Sequence, residues 1–259
     1  EEKEGFDIEY LQNAVNELIE STQGRDSQWV FDGIFDDMDL TSSKLGRTVS
    51  ARTSLITKAI LAIHKIDFDH KDAEIDVLGD TYEYLIGQFA AGAGRKSGAF
   101  YTPAQAGKLL SRLATVGRTQ IENAYDGCGG SASLLLHVGD RVRVANYYYQ
   151  ELTTNTYNLA RMTMSLYNEG YEKMNMENDD TLESPAYMDT KMDVIVTNPP
   201  YSQRWGADDY YLEQDRFSDF GVIPPKSYAD YAFLLSMFYM LKPDGSMAIL
   251  LPHGVLFRG

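Results

Sequence analysis

The stretch 193-DVIVTNPPYSQRW-205 carries the side chains whose types and spacing are best suited to chemistry. An apolar run ends abruptly at NPPY, because two consecutive prolines can neither donate to a sheet nor continue a helix. The Asn198 side-chain oxygen and the Pro199 carbonyl can both accept from a planar exocyclic amine, and Tyr201 can stack on the ring that carries it. The turn therefore predicts a clamp for an aromatic amine, adenine above all. The predicted catalytic residues are Asn198, Pro199, Pro200 and Tyr201.

Three further segments place polar or small residues where strands are expected to end. In 126-DGCGGSAS-133, small residues would let a ligand approach the backbone and the next helix, although a plain structural turn is an equal alternative. Glu151 follows about 25 residues after this loop begins, near the offset at which an acidic residue holds ribose hydroxyls; the alternative is an exposed glutamate. Asp180 could accept from an adenine amino group, or it could simply cap a turn.

Strand patterns alternate with helical patterns from about residue 93 onward. The pattern predicts a strand, glycine turn and helix over 121–138, a strand over 142–151, a helix over 153–170, a turn at 178–183, a strand over 193–197, a helix over 228–242 and a strand over 245–252. Such alternation predicts an α/β fold with a mainly parallel sheet that helices cover on both faces. Ligands of such sheets bind outside the carboxyl ends of the strands, where the candidate residues fall.

The residues before this region predict a small helical domain. Three sets of apolar residues recur at helical spacing. They are Leu11, Val15, Leu18 and Ile19; Leu55, Ile56, Ala59, Ile60 and Ile63; and Leu78, Tyr82, Leu85 and Phe89. We therefore expect a helical domain over 1–92 and a catalytic domain over 93–259. Because the chain starts without methionine and stops just after an apolar segment, we expect part of a longer protein whose catalytic domain continues past Gly259.

The segment 92-GAGRKSGAFYTP-103 joins the two regions as a glycine-rich loop. Threonine at the N-cap and proline at the first helical position are a preferred helix start, so Thr102 and Pro103 predict a helix directly after the loop. The residues expected on its apolar side are Ala106, Leu109, Leu110 and Leu113.

Composition and charge restrict the classes of function. Cys128 is the single cysteine, so no internal disulfide can form and the reducing cytoplasm is the simpler location. The longest apolar helical run, 231–241, is shorter than the roughly 20 residues that a membrane span requires. The formal charge of −15 argues against a self-sufficient nucleic-acid binder. Either the acidic surface is simply solvated, or a partner chain supplies the positive groove.

These motifs resemble the modification (methylation) subunit of type I restriction–modification systems, which are S-adenosylmethionine-dependent DNA adenine-N6 methyltransferases. The resemblance runs from about Leu78 to Gly259. It rests on LGDTYEYLIGQFA, GAFYTP, YDGCGGSASLLL, QELTTNTYNLARM, NDDTL, IVTNPPYSQRW and DGSMAILLPHGVLFRG, in that order. It implies a Rossmann-like S-adenosylmethionine-dependent methyltransferase domain. The order of FYTP, glycine loop and NPPY matches the γ arrangement of amino-methyltransferases.

The resemblance also implies a binding site for S-adenosylmethionine. The segment that would line its methionine end is Ala99, Phe100, Tyr101, Thr102 and Pro103, and the loop beneath it is Asp126, Gly130, Ser131 and Ala132. Glu151 would hold the ribose and Asp180 the adenine ring, and no metal is expected. The chain departs from the family pattern at Gly127, where proline is common, and at Ala132, where glycine often stands.

Partners follow from the same resemblance. It implies a specificity subunit that reads DNA, a restriction subunit, double-stranded DNA as the substrate, no membrane, and a location in the prokaryotic cytoplasm. NPPY also occurs in methyltransferases that act on protein glutamine or on RNA, so these substrates remain alternatives. A catalytically silent assembly subunit that keeps the fold is a further alternative.

Overall fold

The computed structural model describes residues 8–65, 84–85, 102–167 and 170–257. The chain divides into two compact units, Glu1–Leu78 and Gly79–Gly259. The predicted boundary between residues 92 and 93 lies outside the described residues. None of the helices within the described ranges is both long enough and apolar enough to span a membrane.

The first unit is helical in its described part. Its helices are α1 (Ile8–Thr22), α2 (Gln28–Phe31) and α3 (Val49–Ile63). Val15 of α1 is buried, and the Thr48 hydroxyl caps α3 by accepting from the Ala51 amide at 3.2 Å. The helical pattern predicted for α3 is confirmed, yet no residue of α3 is buried. Of the third predicted helical set, only Leu85 lies among the described residues, where it is helical.

The second unit is an α/β layer structure. Its elements are α4 (Ala104–Ala114), β1 (Gln120–Asp126), α5 (Ser133–Gly139), β2 (Arg143–Gln150), α6 (Thr154–Leu166), β3 (Met174–Glu177), β4 (Met192–Thr197), α7 (Asp215–Ser218), α8 (Asp230–Met240) and β5 (Leu241–Ile249). The five strands are parallel in the order β3-β2-β1-β4-β5. This confirms the predicted α/β fold. The sequence predicted the turn after β3 but did not predict β3 itself.

The strand order explains why the candidate residues meet. All six residues of β4 are buried, as expected for a central parallel strand covered on both faces. The chain builds outward from β1 to β2 and β3, then returns to place β4 on the other side of β1. The direction of sheet growth therefore reverses between β1 and β4. A crevice at the carboxyl ends of these two strands is where such sheets bind ligands.

Asp193 fixes the register of β1 against β4. Its side chain accepts from the backbone amides of Glu122 and Asn123, at 3.0 and 2.9 Å, and from Lys242 Nζ at 3.1 Å. Further along the two strands Tyr125 lies opposite Ile195. The two strands therefore end within one residue of each other, with Asp126 closing β1 and Thr197 closing β4.

Helix α4 begins one residue later than predicted. Pro103 has non-helical backbone angles, and its carbonyl accepts from the Ala106 and Gly107 amides. Pro103 is therefore the N-cap residue, and the prediction that Thr102 caps the helix is wrong. The Thr102 hydroxyl has a different partner, described below.

The buried face of α4 also differs from the prediction. Leu110 is buried as expected, but Leu109 and Leu113 are each 58% exposed. The face that packs inward carries mainly small residues: Gly107, Leu110, Ser111 and Ala114. A Cβ at Gly107 would lie 2.6 Å from the His137 ring of α5, so these small side chains permit a close approach of the two helices.

Candidate active site

Asn198 directly follows β4, and its two side-chain atoms have different surroundings. Nδ2 donates to Thr102 Oγ1 at 3.1 Å, which fixes the orientation of the carboxamide. Oδ1 is buried and accepts no hydrogen bond from the described residues. Leaving a buried acceptor unsatisfied costs about 1–3 kcal/mol, so the site favours a ligand that brings a donor to this oxygen.

The rest of the NPPY turn is held from α8. Pro199 is buried, whereas Tyr201 is 50% exposed and can offer a ring face to a ligand. Ser202 has a φ of 54°, and its amide donates to the buried Asp230 carboxylate at 3.3 Å. The sharp turn predicted from the two prolines is thus anchored to the first residue of α8.

Asp126 and Thr197 lie fully buried at the ends of β1 and β4. Asp126 Oδ1 accepts from the Cys128 amide at 3.1 Å. Asp126 Oδ2 and Thr197 Oγ1 make no geometrically satisfactory hydrogen bond with any described residue. Burial raises the pKa of Asp126 to about 7, with the Thr197 hydroxyl and the Cys128 amide opposing that rise. Asp126 is therefore a carboxyl group that titrates near neutrality.

The glycine loop after β1 is packed against β2. A Cβ at Gly129 would lie 2.1 Å from the Tyr149 ring, and one at Gly127 would lie 2.5 Å from the Tyr125 hydroxyl. Gly127 therefore leaves no room for the proline that is common in the family. The Tyr149 hydroxyl donates to the Gly130 carbonyl at 2.6 Å. This bond fixes the loop over the end of β2.

Ala132 ends the loop in the left-handed region, with a φ of 66°. Such a conformation costs an L-residue roughly 1–2 kcal/mol and favours glycine. The methyl group is fully buried. Glycine would adopt this backbone without strain, whereas Ala132 carries the strain in this chain.

Glu151 follows β2 and is only 8% exposed, so the alternative of an exposed glutamate is wrong. Its carboxylate accepts from the Gly130 amide at 3.2 Å and from the Thr153 amide at 2.9 Å. Burial raises the pKa of Glu151, while these two amides act in the opposite direction. The carboxylate thus connects the glycine loop to the start of α6.

Asp180 follows β3 and shapes the turn there. Its Oδ1 accepts from the Leu182 amide at 2.7 Å and from the Glu183 amide at 3.1 Å. This is the turn-capping alternative, and Asp180 also faces the pocket described next. The neighbouring Thr181 hydroxyl donates to the Gly127 carbonyl. The turn after β3 is therefore attached to the glycine loop.

An open pocket of about 120 Å³ lies where these strand ends meet. Its walls are Gly127, Cys128, Glu151, Leu152, Thr153, Asp180, Thr181, Pro200, Gln203 and Phe233. Of the predicted residues, Glu151, Asp180 and Pro200 line it directly. Asp126 and Gly130 support its floor through the contacts above. The sequence analysis missed Thr181, Gln203 and Phe233, because no local pattern distinguishes them from ordinary turn or core residues.

Some of the predicted site residues do not line this pocket. Ala99, Phe100 and Tyr101 lie outside the described residues. Pro103 is exposed and, like Ser131, is not part of the pocket wall. No cluster of three or more histidine, cysteine or carboxylate residues suited to a metal ion occurs in the described part of the chain. Cys128 packs against the core, and burial raises the pKa of its thiol, which disfavours the nucleophilic thiolate.

The N-6 DNA methylase family matches residues 73–259. This chain belongs to that family. The chain is 35% identical to the type I restriction enzyme MpnII methylase subunit of Mycoplasma pneumoniae, over 96% of this chain and 49% of that protein. It is 30% identical to the HindI methylase subunit of Haemophilus influenzae, over 69% of this chain and 41% of that protein. The chain thus spans about half the length of these relatives.

Solved structures agree with this assignment. The type I restriction–modification system methyltransferase subunit from Streptococcus thermophilus superimposes with a TM-score of 0.86 at 39% identity, covering 98% of this chain and 54% of that one. A class I S-adenosylmethionine-dependent methyltransferase from Listeria monocytogenes superimposes with a TM-score of 0.60 at 14% identity, covering 97% and 75%. The chain therefore has the Rossmann-like methyltransferase fold, as predicted. Family and fold together imply S-adenosylmethionine as its cofactor.

Proposed function

We propose that this chain is the methylating part of a type I restriction–modification methylase subunit. It transfers a methyl group from S-adenosylmethionine to N6 of an adenine in double-stranded DNA. The relatives named above support this reading, since they are described as methylase subunits of type I restriction enzymes. The geometry at the end of β4 supports the choice of an amine as acceptor.

The pocket fits the proposed cofactor in its chemistry. Glu151 places a carboxylate at the end of β2, where ribose hydroxyls can donate to it. Gly127 lets a ligand approach the backbone, and Asp180 stands on the wall as a further acceptor. When bound, S-adenosylmethionine supplies a methyl group on a positively charged sulfonium. The carboxylates of this chain would complement that charge, and the strand ends would fix its orientation.

One observation carries the proposal: Asn198 keeps a buried acceptor, Oδ1, without a partner among the described residues, while Nδ2 is held by Thr102. An adenine amino group would donate one hydrogen to Oδ1. The Pro199 carbonyl is the expected acceptor for the second hydrogen. Two such bonds would orient the nitrogen lone pair toward the methyl donor, so that the chain contributes mainly alignment.

A target adenine must leave the duplex to reach such a buried clamp, which costs a few kcal/mol of unstacking. Tyr201 is half exposed beside Asn198 and can stack on the extruded base. Stacking on an aromatic side chain contributes about 1–3 kcal/mol per base, enough to offset much of that cost.

The alternatives are less well supported. A glutamine side chain or an RNA base also presents an amine to an Asn198 clamp, but the family and the named relatives favour DNA. A silent assembly subunit would have no need for a buried Glu151 facing an open pocket. We therefore favour an active DNA methyltransferase.

We also propose that DNA recognition belongs to a partner. The net charge of −15 opposes binding to bare DNA, because Lys and Arg contacts to phosphate supply most of that affinity. A specificity subunit would read the target sequence, and a restriction subunit would complete the system. Such a complex would work in the prokaryotic cytoplasm, where its DNA substrate lies.

The test compares Asn198→Ala with Asn198→Asp in the chain assembled with its specificity subunit. Asn198→Ala should reduce methyl transfer to DNA at least a hundredfold while S-adenosylmethionine affinity stays within a few-fold, because the clamp acts on the acceptor. Asn198→Asp keeps an acceptor oxygen, and the Thr102 hydroxyl can donate to it. This variant should therefore retain measurable activity.

Asn175→Ala provides the control. Asn175 is a half-buried asparagine of β3 whose side-chain amide donates, within the described part of the chain, to the Tyr147 and Lys173 carbonyls. It should keep near wild-type activity. Near wild-type methylation by Asn198→Ala would contradict the proposed role of the clamp.

A further inference from the structure

Arg216 of α7 is a charged side chain buried in the core of the second unit. It is 1% exposed and has no carboxylate ion pair among the described residues. Its guanidinium lies over the Phe217 and Tyr211 rings, at 4.8 and 5.6 Å from their centroids. Burial lowers the pKa of Arg216, and the carboxylates of Glu183 and Asp180 oppose this only from beyond ion-pair distance. Burying a guanidinium without a direct ion pair is costly, and an apolar side chain of similar volume is often equally stable or more stable. Stability alone therefore does not explain this arginine.

Two of the four hydrogen bonds that Arg216 donates go to the turn after β3. Nη1 donates to the Thr181 carbonyl at 3.3 Å, and Nη2 donates to the Leu182 carbonyl. Nη1 also donates to Ser236 Oγ of α8 at 3.0 Å, and Nε donates to Gln214 Oε1 at 2.8 Å. Arg216 therefore holds the backbone that directly follows Asp180, and it ties that backbone to α8.

This turn forms one wall of the pocket. Asp180 and Thr181 both line it, and the Thr181 hydroxyl donates to the Gly127 carbonyl of the glycine loop. A continuous path of hydrogen bonds thus runs from Arg216 through Thr181 to Gly127. Ser236 lies one helical turn beyond Phe233, which also lines the pocket.

The segment around Arg216 is also connected to the NPPY side of the site. Trp205 packs on the Tyr211 and Phe217 rings, with centroid distances of 4.9 and 5.7 Å. The Tyr211 hydroxyl donates to Glu183 in the turn after β3. The residues that follow Tyr201 are therefore packed against the same turn that Arg216 holds.

From these contacts we propose that Arg216 is a positioning residue, which fixes the turn after β3 and so sets the shape of the cofactor pocket. The inference rests on the proposed function, because it assumes that S-adenosylmethionine occupies this pocket. It adds a residue that lies outside every motif described above.

The test measures S-adenosylmethionine affinity by isothermal titration calorimetry on the full chain. Arg216→Met keeps the packing on the two rings but removes the donors, so we expect binding to weaken about tenfold or more. Arg216→Lys should recover part of the loss, because one ammonium can reach fewer carbonyls than a guanidinium fork. Arg143→Met is the matched control, since Arg143 is exposed at the start of β2, and its affinity should be unchanged.

A double-mutant cycle separates positioning from general destabilisation. Thr181→Val removes the hydroxyl that bonds to Gly127 and keeps the carbonyl that Arg216 holds, and it should also weaken binding about tenfold. If Arg216 acts through Thr181, the double variant should bind no more weakly than the poorer single variant. Should Arg216→Met fail to fold, Thr181→Val alone and Arg216→Lys still test the same path.

The outcomes are distinguishable. The positioning role would be overturned if the wild-type chain binds S-adenosylmethionine and folded Arg216→Met binds it with the same affinity. Fully additive losses in the double-mutant cycle would overturn it as well. Either result would leave the proposed function intact. If the wild-type chain itself failed to bind S-adenosylmethionine, the proposed function would be contradicted, and the inference with it.

Discussion

Asp126→Asn should stabilise the second unit strongly at alkaline pH and only slightly at acidic pH. The folded protein holds Asp126 with a pKa of about 7, against 3.8 for the group in an unfolded chain. The folded state therefore binds this proton more tightly, and the contribution of Asp126 to stability falls as pH rises from about 4 to about 7. Asparagine has no charge to bury. It can accept from the Cys128 amide and donate to Thr197, so it should escape this penalty.

The size of the effect follows from the difference in pKa. A shift of about three units corresponds to about 4 kcal/mol once the group is ionised in both states. At pH 5 the group is mostly neutral in the folded protein, and only about 1.5 kcal/mol of the penalty is present. The difference in free energy of unfolding between Asp126→Asn and its parent should therefore grow by about 2.5 kcal/mol between pH 5 and pH 8.

Urea unfolding followed by tryptophan fluorescence can measure this difference. The chain has two tryptophans, Trp29 in the first unit and Trp205 in the second. A Trp29→Phe background leaves Trp205 as the reporter of the unit that contains Asp126. Comparing the variant with its parent at each pH cancels the contributions of groups that titrate identically in both. A stability difference between variant and parent that is the same at pH 5 and pH 8 would refute the claim that burial keeps the Asp126 carboxyl neutral in the folded protein.

Two further predictions concern the loop between β1 and α5. Glu151→Ala should weaken S-adenosylmethionine binding about tenfold to a hundredfold, because hydrogen bonds to charged groups contribute about 1.5–3 kcal/mol; calorimetry checks this. Tyr149→Phe, which removes only the bond to the Gly130 carbonyl, should weaken S-adenosylmethionine binding far less. Equal losses in the two variants would mean that Glu151 acts only by holding the loop. Ala132→Gly should leave the free energy of unfolding within about 1 kcal/mol, since relief of strain offsets the lost methyl. Ala132→Val should destabilise the protein by more than 2 kcal/mol in urea unfolding, and a neutral valine would contradict the left-handed backbone.

Local patterns predicted the parts of the fold that depend on local chemistry. The unbroken burial of β4 and the stop at Pro199 are visible in the sequence, because strand burial and proline geometry are properties of neighbouring residues. The glycine loop and Glu151 were likewise predicted from their places after strands. What the sequence did not reveal was β3, whose four residues, Met174–Glu177, are too few for a clear pattern.

The errors arise where a distant contact decides the outcome. The predicted apolar side of α4 contains Leu109 and Leu113, but close packing of Gly107 on α5 turns a face of small residues inward. The Thr102 hydroxyl bonds to Asn198, 96 residues away in sequence, instead of capping the helix that follows it. Arg216 could not be singled out from the sequence, because the Thr181 and Leu182 carbonyls that it holds are more than 30 residues away and only the folded chain brings them to it.

The identity of the methylated atom tests the central claim most directly. The chain, assembled with its specificity subunit, would be incubated with duplex DNA and isotopically methyl-labelled S-adenosylmethionine, and the digested nucleosides would be resolved by mass spectrometry. We predict label in N6-methyladenine, and none when the chain is supplied alone. Label confined to protein glutamine, to RNA or to another base would contradict the account, and so would site-specific adenine methylation by the chain without a partner.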